Sequence, residues 1–334
     1  MVLDKDIHMI KITFYIGLLF TALSVQADDM LRKSLEGDFA TAVLLSDTDA
    51  ISLGFHDFNP NAFVDISDNL GDEEALELRK QINVYTIPYD FALTPNTSIN
   101  GHKLEQYITV SGSYLKVERD IKFSNNRSEP TDGVKDEVVT LAGKYWTRYR
   151  LDPKWSLISG LKAHTQYFKN SYTYRNPLSI FFRDQLDGNA FNTTAWSFIL
   201  QPNVELHYRQ PSDWGHWEAF TDMNYFYGHG WGEANQGNVG NPEGWYWING
   251  VKSFWEIADF HNYNQSIYSS IRRIDVGGDL QAPLASSHYY EWSLGWLSAT
   301  PFGDDYIENI GIGINLNYGS SLKGGTIVLL INQK

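Results

Sequence analysis

Beyond residue 80 the chain alternates apolar and polar positions with a period of two over long stretches. Ile310, Ile312, Ile314, Leu316 and Tyr318 are interleaved with Gly311, Gly313, Asn315 and Asn317, so an extended strand carries its apolar side chains on one face and small or polar ones on the other. The same template fits Trp196, Phe198, Leu200, Pro202, Val204, Leu206 and Tyr208, with Ser197, Gln201, Asn203, Glu205, His207 and Arg209 between them. Trp155, Leu157, Leu161, Ala163 and Tyr167 face away from Lys162, His164 and Gln166. Trp245, Trp247, Val251, Trp255 and Ile257 stand against Lys252 and Glu256, and Tyr290, Trp292, Leu294 and Trp296 against Glu291. Strands of soluble proteins usually run about five or six residues. These are about twice as long.

A sandwich with a dry core would alternate too, so the choice between a core and a bilayer rests on other patterns. Aromatics cluster toward the ends of the apolar faces, as in Trp155 with Tyr167, Trp196 with Tyr208, and Trp217 with Tyr225 and Tyr227, where interfacial girdles belong. Short turns (Leu151 to Lys154, Gln210 to Gly215, Thr300 to Asp305) alternate with long loops (Lys169 to Thr193, Gly228 to Gly244), the habit of outer-membrane barrels. A lipid-facing sheet must also close, because an open edge leaves backbone groups unpaired in hydrocarbon. The predicted fold is therefore all-β: a closed antiparallel transmembrane β-barrel of about 12 strands, an even number.

The predicted strands run roughly over 49–58, 82–94, 105–117, 134–150, 154–168, 194–209, 216–228, 245–257, 266–276, 288–299, 306–319 and 324–333. With the C-terminus periplasmic, the long loops fall outside, Asn59 to Gln81 and Arg119 to Gly133 included, and the N-terminus falls on the periplasmic side. Phe39 to Leu45 reads equally as a strand, and if it pairs the barrel has either 14 strands or a different first hairpin. Asp72 to Ile82 has the composition of a short helix in an outer loop.

At the N-terminus, the apolar run ITFYIGLLFTAL is followed by Val25 and Ala27 in a small-residue cleavage pattern, which predicts a cleaved secretory signal over residues 1–27. A short segment, residues 28–48, follows as a lumen plug or a periplasmic piece, and the barrel occupies residues 49–334. The chain has 334 residues, 15% aromatics and no Cys, which excludes disulfide scaffolds, thiolate metal sites and cysteine nucleophiles. A net charge of -14 argues against nucleic-acid binding, which needs a basic face.

A signal, about 12 long strands, the glycine- and asparagine-punctuated strand IENIGIGINLNYG and the terminal strand GGTIVLLINQK together resemble the solitary outer-membrane autotransporter-type β-barrel domain family of Gram-negative bacteria. That resemblance implies an integral protein of the Gram-negative outer membrane, a translocator barrel without cargo and without established catalytic residues. Its expected partners are outer-membrane lipid and lipopolysaccharide and the barrel-assembly machinery, with the chain as a monomer. No cofactor or metal is expected.

The inward faces carry charges of both signs. Lys162, His164, Glu205, His207, Arg209, Glu218, Asp222, Lys252, Glu256 and Glu291 form the expected lumen-facing polar network. Selective pores use rings of one sign, so mixed signs favour ion pairs that fill the lumen and a narrow or closed, porin-like channel. The outer loops are then the parts that contact ligands or cells. The alternative is an outer-membrane lipid-acting hydrolase, with His164 or His207 as a base oriented by Glu205; no serine motif accompanies it. His229 and Glu233 have the i, i+4 spacing of a helical metal pair, but their glycine-rich surroundings disfavour a helix.

Overall fold

The computed structural model describes residues 28–47, 51–58, 82–99, 102–121, 130–260, 263–300, 308–319, 324–331 and 333. The expected signal, the loop from Asn59 to Gln81 and the helix expected from Asp72 to Ile82 lie outside them, save for Ile82 at the start of a strand.

The strands are β1 (Ile51–Phe58), β2 (Ile82–Ile99), β3 (His102–Ile121), β4 (Asp132–Arg150), β5 (Trp155–Thr173), β6 (Thr194–Ser212), β7 (Gly215–Gly232), β8 (Glu243–Phe260), β9 (Tyr263–Gly278), β10 (His288–Ala299), β11 (Asn309–Tyr318) and β12 (Gly324–Ile331). Among the described residues they make one antiparallel sheet, in which each strand from β2 to β12 pairs with the next and β12 also pairs with β1. The sheet curls, so that side chains from β3 through to β10 meet on its concave face.

Period-2 alternation sets which face each residue takes. Along β6, Trp196, Phe198, Leu200 and Val204 point outward and are exposed, while Ser197, Ile199, Gln201 and Asn203 are buried. β11 does the same with Ile310 and Ile312 outward. Outward aromatic rings gather at both ends of the strands. Trp155, Tyr208 and Trp217 form a chain at the short-turn end, with centroids 4.9 and 5.2 Å apart, and Trp214 stacks near Trp255. Tyr167 with Trp196 and Tyr290 with Tyr318 lie toward the long-loop end. Among the described residues no helix is long and apolar enough to cross a membrane.

The short turn between β4 and β5 is closed by Asp152, whose carboxylate accepts hydrogen bonds from the backbone N–H of Lys154 (2.7 Å) and Trp155 (2.8 Å). Those two bonds favour the ionised form and hold the carboxyl below its ordinary range.

Three sequence expectations are corrected. Phe39 to Leu45 is no strand, since residues 28–46 form one helix, α1. Leu31, Leu35, Phe39 and Val43 recur at helical spacing, and upstream Leu31, Arg32, Lys33 and Glu36 are good helix formers, a context the seven-residue window omits. The extra hairpin that would give 14 strands is therefore not built from these residues. Second, the N-terminal end of α1 lies with the long loops, not the short turns: Asn238 Nδ2 donates to the Asp28 carboxylate (2.9 Å) and Asn235 Nδ2 to its carbonyl (3.0 Å). Two asparagines on the loop after β7 anchor that end. Third, β5, β7 and β8 reach into stretches expected to be loop. The glycines there mark close packing inside a strand: a Cβ on Gly230 would sit 2.6 Å from Val239 Cγ1.

Candidate functional site: the concave face and its helix

α1 lies against the concave face with its apolar stripe inward. Leu35, Phe39, Ala42 and Val43 are buried among Phe168 of β5, Ile199 of β6, Phe226 of β7, Tyr246 of β8 and Ile274 of β9. Phe39 meets Phe168 edge-on at 6.0 Å. The upper turn is tied by Arg32, which bonds Asp29 and, at 3.1 Å, Glu36; the second oxygen contact of Glu36 Oε1 is the N–H of Asn241 at 2.8 Å. At Gly37 the helix passes so close to the loop after β9 that a Cβ would be 2.9 Å from Pro283 Cγ.

The lower end of α1 delivers a charge. Ser46 Oγ donates back to Val43 O (3.1 Å), and Asp47 follows, aimed at the middle of the strands. Lys162 Nζ donates to Asp47 Oδ1 at 3.0 Å, and the Tyr246 hydroxyl donates to Oδ2. Gln201 Nε2 lies 2.6 Å from Tyr246 Oη, 2.9 Å from Asn224 Oδ1 and 3.3 Å from Asp47 Oδ2. His164 Nε2 is 2.7 Å from Gln201 Oε1, while its Nδ1 is buried without a hydrogen-bond partner. Lys162, His164, Gln201 and Tyr246 are all buried.

Below Asp47 the concave face is lined by the charges of the strands themselves. His207 sits between Glu205 (Nδ1 to Oε1, 2.9 Å) and Glu218 (Nε2 to Oε2, 3.4 Å). Glu218, itself buried, is also 3.5 Å from Arg209 and 3.6 Å from His216, and it is the direct cross-strand partner of both Arg209 and Lys252. Asp222 accepts from Asn203 (3.2 Å) and Asn224 (2.7 Å). Lys252 lies over the Phe220 ring at 5.1 Å. Glu291 pairs with Arg272, its neighbour across β9 and β10. Glu256 is exposed at the short-turn end of β8.

Of the ten residues expected on the inward face, Lys162 and His164 are engaged with α1 and Gln201, and Glu205, His207, Arg209 and Lys252 gather around Glu218, whereas Asp222 bonds Asn203 and Asn224, Glu291 pairs with Arg272 and Glu256 is exposed. Among the described contacts neither His164 nor His207 has a serine hydroxyl as partner. His229, on the outward face of β7, bonds Asn241 (2.8 Å) and not Glu233. Among the described residues no group of three or more metal-ligating side chains is assembled.

Residues 36–333 match the family described as the solitary outer membrane autotransporter beta-barrel domain. The chain belongs to that family. Solved structures similar to it include the translocator domain of autotransporter NalP from Neisseria meningitidis, with 10% identity, 75% of this chain and 85% of that chain covered, and a TM-score of 0.37. The transport unit of the autotransporter AIDA-I from Escherichia coli matches with 9% identity over 89% of this chain and 97% of that chain, with a TM-score of 0.46. No curated protein matches the chain.

In this solitary autotransporter-type domain the residues that sequence reasoning missed are Asp47, Gln201 and Tyr246. Tyr246 carries a usable signal, because Trp245 and Trp247 flank it on the outward face and period 2 therefore turns it inward. Gln201 falls in the inward phase of β6 in the same way. Asp47 carries none: its role depends on α1 turning back against the sheet.

Proposed function

We propose that the domain is a closed barrel of the Gram-negative outer membrane, shut as a channel by its own N-terminal helix, with its long loops outside the cell to contact ligands or other cells. The observation that carries this reading is α1, whose buried stripe belongs to one apolar cluster with side chains from β3 through to β10 on the concave face. Two further facts support it. β1 and β2, the two ends of the sheet order, approach one another, and closure removes the unpaired edge that hydrocarbon does not tolerate. The outward face is apolar between aromatic ends, as lipid requires. Lipid and lipopolysaccharide surround such a barrel, and the barrel-assembly machinery inserts it as a monomer.

Planar-bilayer recording of the full chain and of a variant lacking residues 28–47 tests the reading. The full chain is expected to give small, weakly selective currents and the deletion larger ones. Equal currents from both, with both proteins folded by heat-modifiable migration, would remove the helix as the closing element.

A further inference from the structure

The middle of the concave face holds a carboxylate in a way that does not depend on the backbone of α1. Lys162 on β5 contacts one carboxylate oxygen of Asp47, and Tyr246 on β8, with Gln201 on β6 beside it, contacts the other. Three different strands therefore converge on two oxygen atoms. Lys144 of β4 is the direct cross-strand partner of Lys162 and acts on the same carboxylate electrostatically. Two lysines opposite one another across a ladder repel, and burial of Lys162 adds a desolvation cost that an anion in contact with it offsets. The receiving groups are also braced from behind: His164 holds Gln201 through its side-chain oxygen, and Asn224 lies 2.9 Å from its nitrogen.

We propose that Lys162, Tyr246 and Gln201, with Lys144 alongside, form a carboxylate-binding site of which Asp47 is the resident ligand, and that small carboxylate anions entering the barrel compete with Asp47 and loosen the lower end of α1. Only the entry route rests on the plugged-barrel reading; the site itself rests on the contacts above. The arrangement of donors selects the ligand class. The site offers one ammonium to one oxygen and one phenol and amide to the other, which matches the planar two-oxygen group of formate or acetate.

Chemical rescue tests the site. Asp47→Ala removes the resident ligand and takes from buried Lys162 the carboxylate it donates to, so the variant melts earlier. Sodium acetate or formate should then raise its melting midpoint, in a saturable way, by about 2–4 °C over sodium chloride at equal ionic strength. Asp47→Ala combined with Lys162→Met should show no such rise. Identical midpoints for Asp47→Ala in acetate, formate and chloride would overturn the proposal.

A second measurement covers the case in which Asp47→Ala does not fold. The chain has no Cys, so Ser46→Cys places a single reporter at the lower end of α1. With Asp47 intact, acetate should at least double its rate of thiol labelling relative to chloride. An unchanged rate means that free carboxylate does not displace Asp47, which counts against the proposal. Neither readout uses conductance. A deletion of α1 that leaves currents unchanged would therefore sink the channel reading while leaving the rescue result to stand or fall alone.

Discussion

The long-loop half and the short-turn half of the concave face are filled by different means. In the long-loop half the strands contribute apolar side chains, Phe168, Ile199, Phe226, Tyr246 and Ile274, and a separate element, α1, completes the packing with Leu35, Phe39 and Val43. In the short-turn half the strands fill the space alone. β6, β7 and β8 converge on Glu218, and a small cluster of Phe254, Tyr268, Leu297, Val328 and Leu330 packs on the side near β12. One half thus behaves as a core that depends on shape, and the other as a network that depends on charge partners. Asp47 and Lys162 lie where the two meet.

The largest effect is expected in the shape-dependent half. Phe39 is fully buried against Phe168, so Phe39→Ala leaves a cavity that the strands, fixed by their ladders, cannot close. The cost is expected to be about 3–5 kcal/mol, read from denaturant unfolding in lipid vesicles. A loss below 1 kcal/mol would mean that α1 is loosely seated, which would end the likeness to a core.

The outward face supplies the next contrast. Ile312 is exposed on the lipid side of β11, and Ile312→Arg is expected to cost about 2–4 kcal/mol near the bilayer midplane. Asn315 lies in the opposite phase of the same strand, and Asn315→Arg is expected to cost less. Equal costs would mean that the alternation does not separate lipid from interior here.

The charged half is expected to respond less, and unevenly. Glu218 is buried beside His207 and Arg209, and Glu218→Gln weakens several contacts together, for a loss of about 1–3 kcal/mol. Arg209 is mostly exposed, so Arg209→Met is expected to cost only about 0–1 kcal/mol. If the two variants lose the same amount, the cluster is not organised around Glu218.

These contrasts follow what the sequence made legible. Alternation of period 2 is a local property, so the facing of Trp196 against Ser197 or Ile312 against Gly313 can be read from neighbours alone, and the inward charges follow from the same phase. The state of Phe39 to Leu45 could not be read that way, because seven residues fit both a strand and a helix and the arbiter lies upstream, in Leu31 to Glu36. The ends of β7 and β8 were obscured for a different reason. Glycine punctuates loops, yet at Gly230 it is the residue that fits beneath Val239. The engagement of Lys162 was the least legible, since its partner Asp47 stands 115 residues away, on an element whose path depends on the finished sheet.

The smallest effect is expected outside both halves, at the turn between β4 and β5. Asp152 accepts two backbone N–H bonds there, and its carboxyl is held below the ordinary range in the folded protein. A depressed folded value means that its stabilising contribution is complete above the unfolded value of about 3.9 and fades as pH falls through the lower folded value. Asp152→Asn keeps a side-chain oxygen for the turn but cannot titrate, while Asp152→Ala keeps neither. At neutral pH the melting midpoints should therefore rank wild type first, Asp152→Asn second and Asp152→Ala last, with small gaps because the turn is exposed. On acidification below about pH 4 the gap between wild type and Asp152→Asn should close, since protonation removes the charge that distinguishes them. The gap between Asp152→Asn and Asp152→Ala should persist, because it reflects the hydrogen-bonding oxygen and not its charge. A wild type that keeps its full advantage over Asp152→Asn well below that pH would show that the charge at this turn contributes nothing to folding.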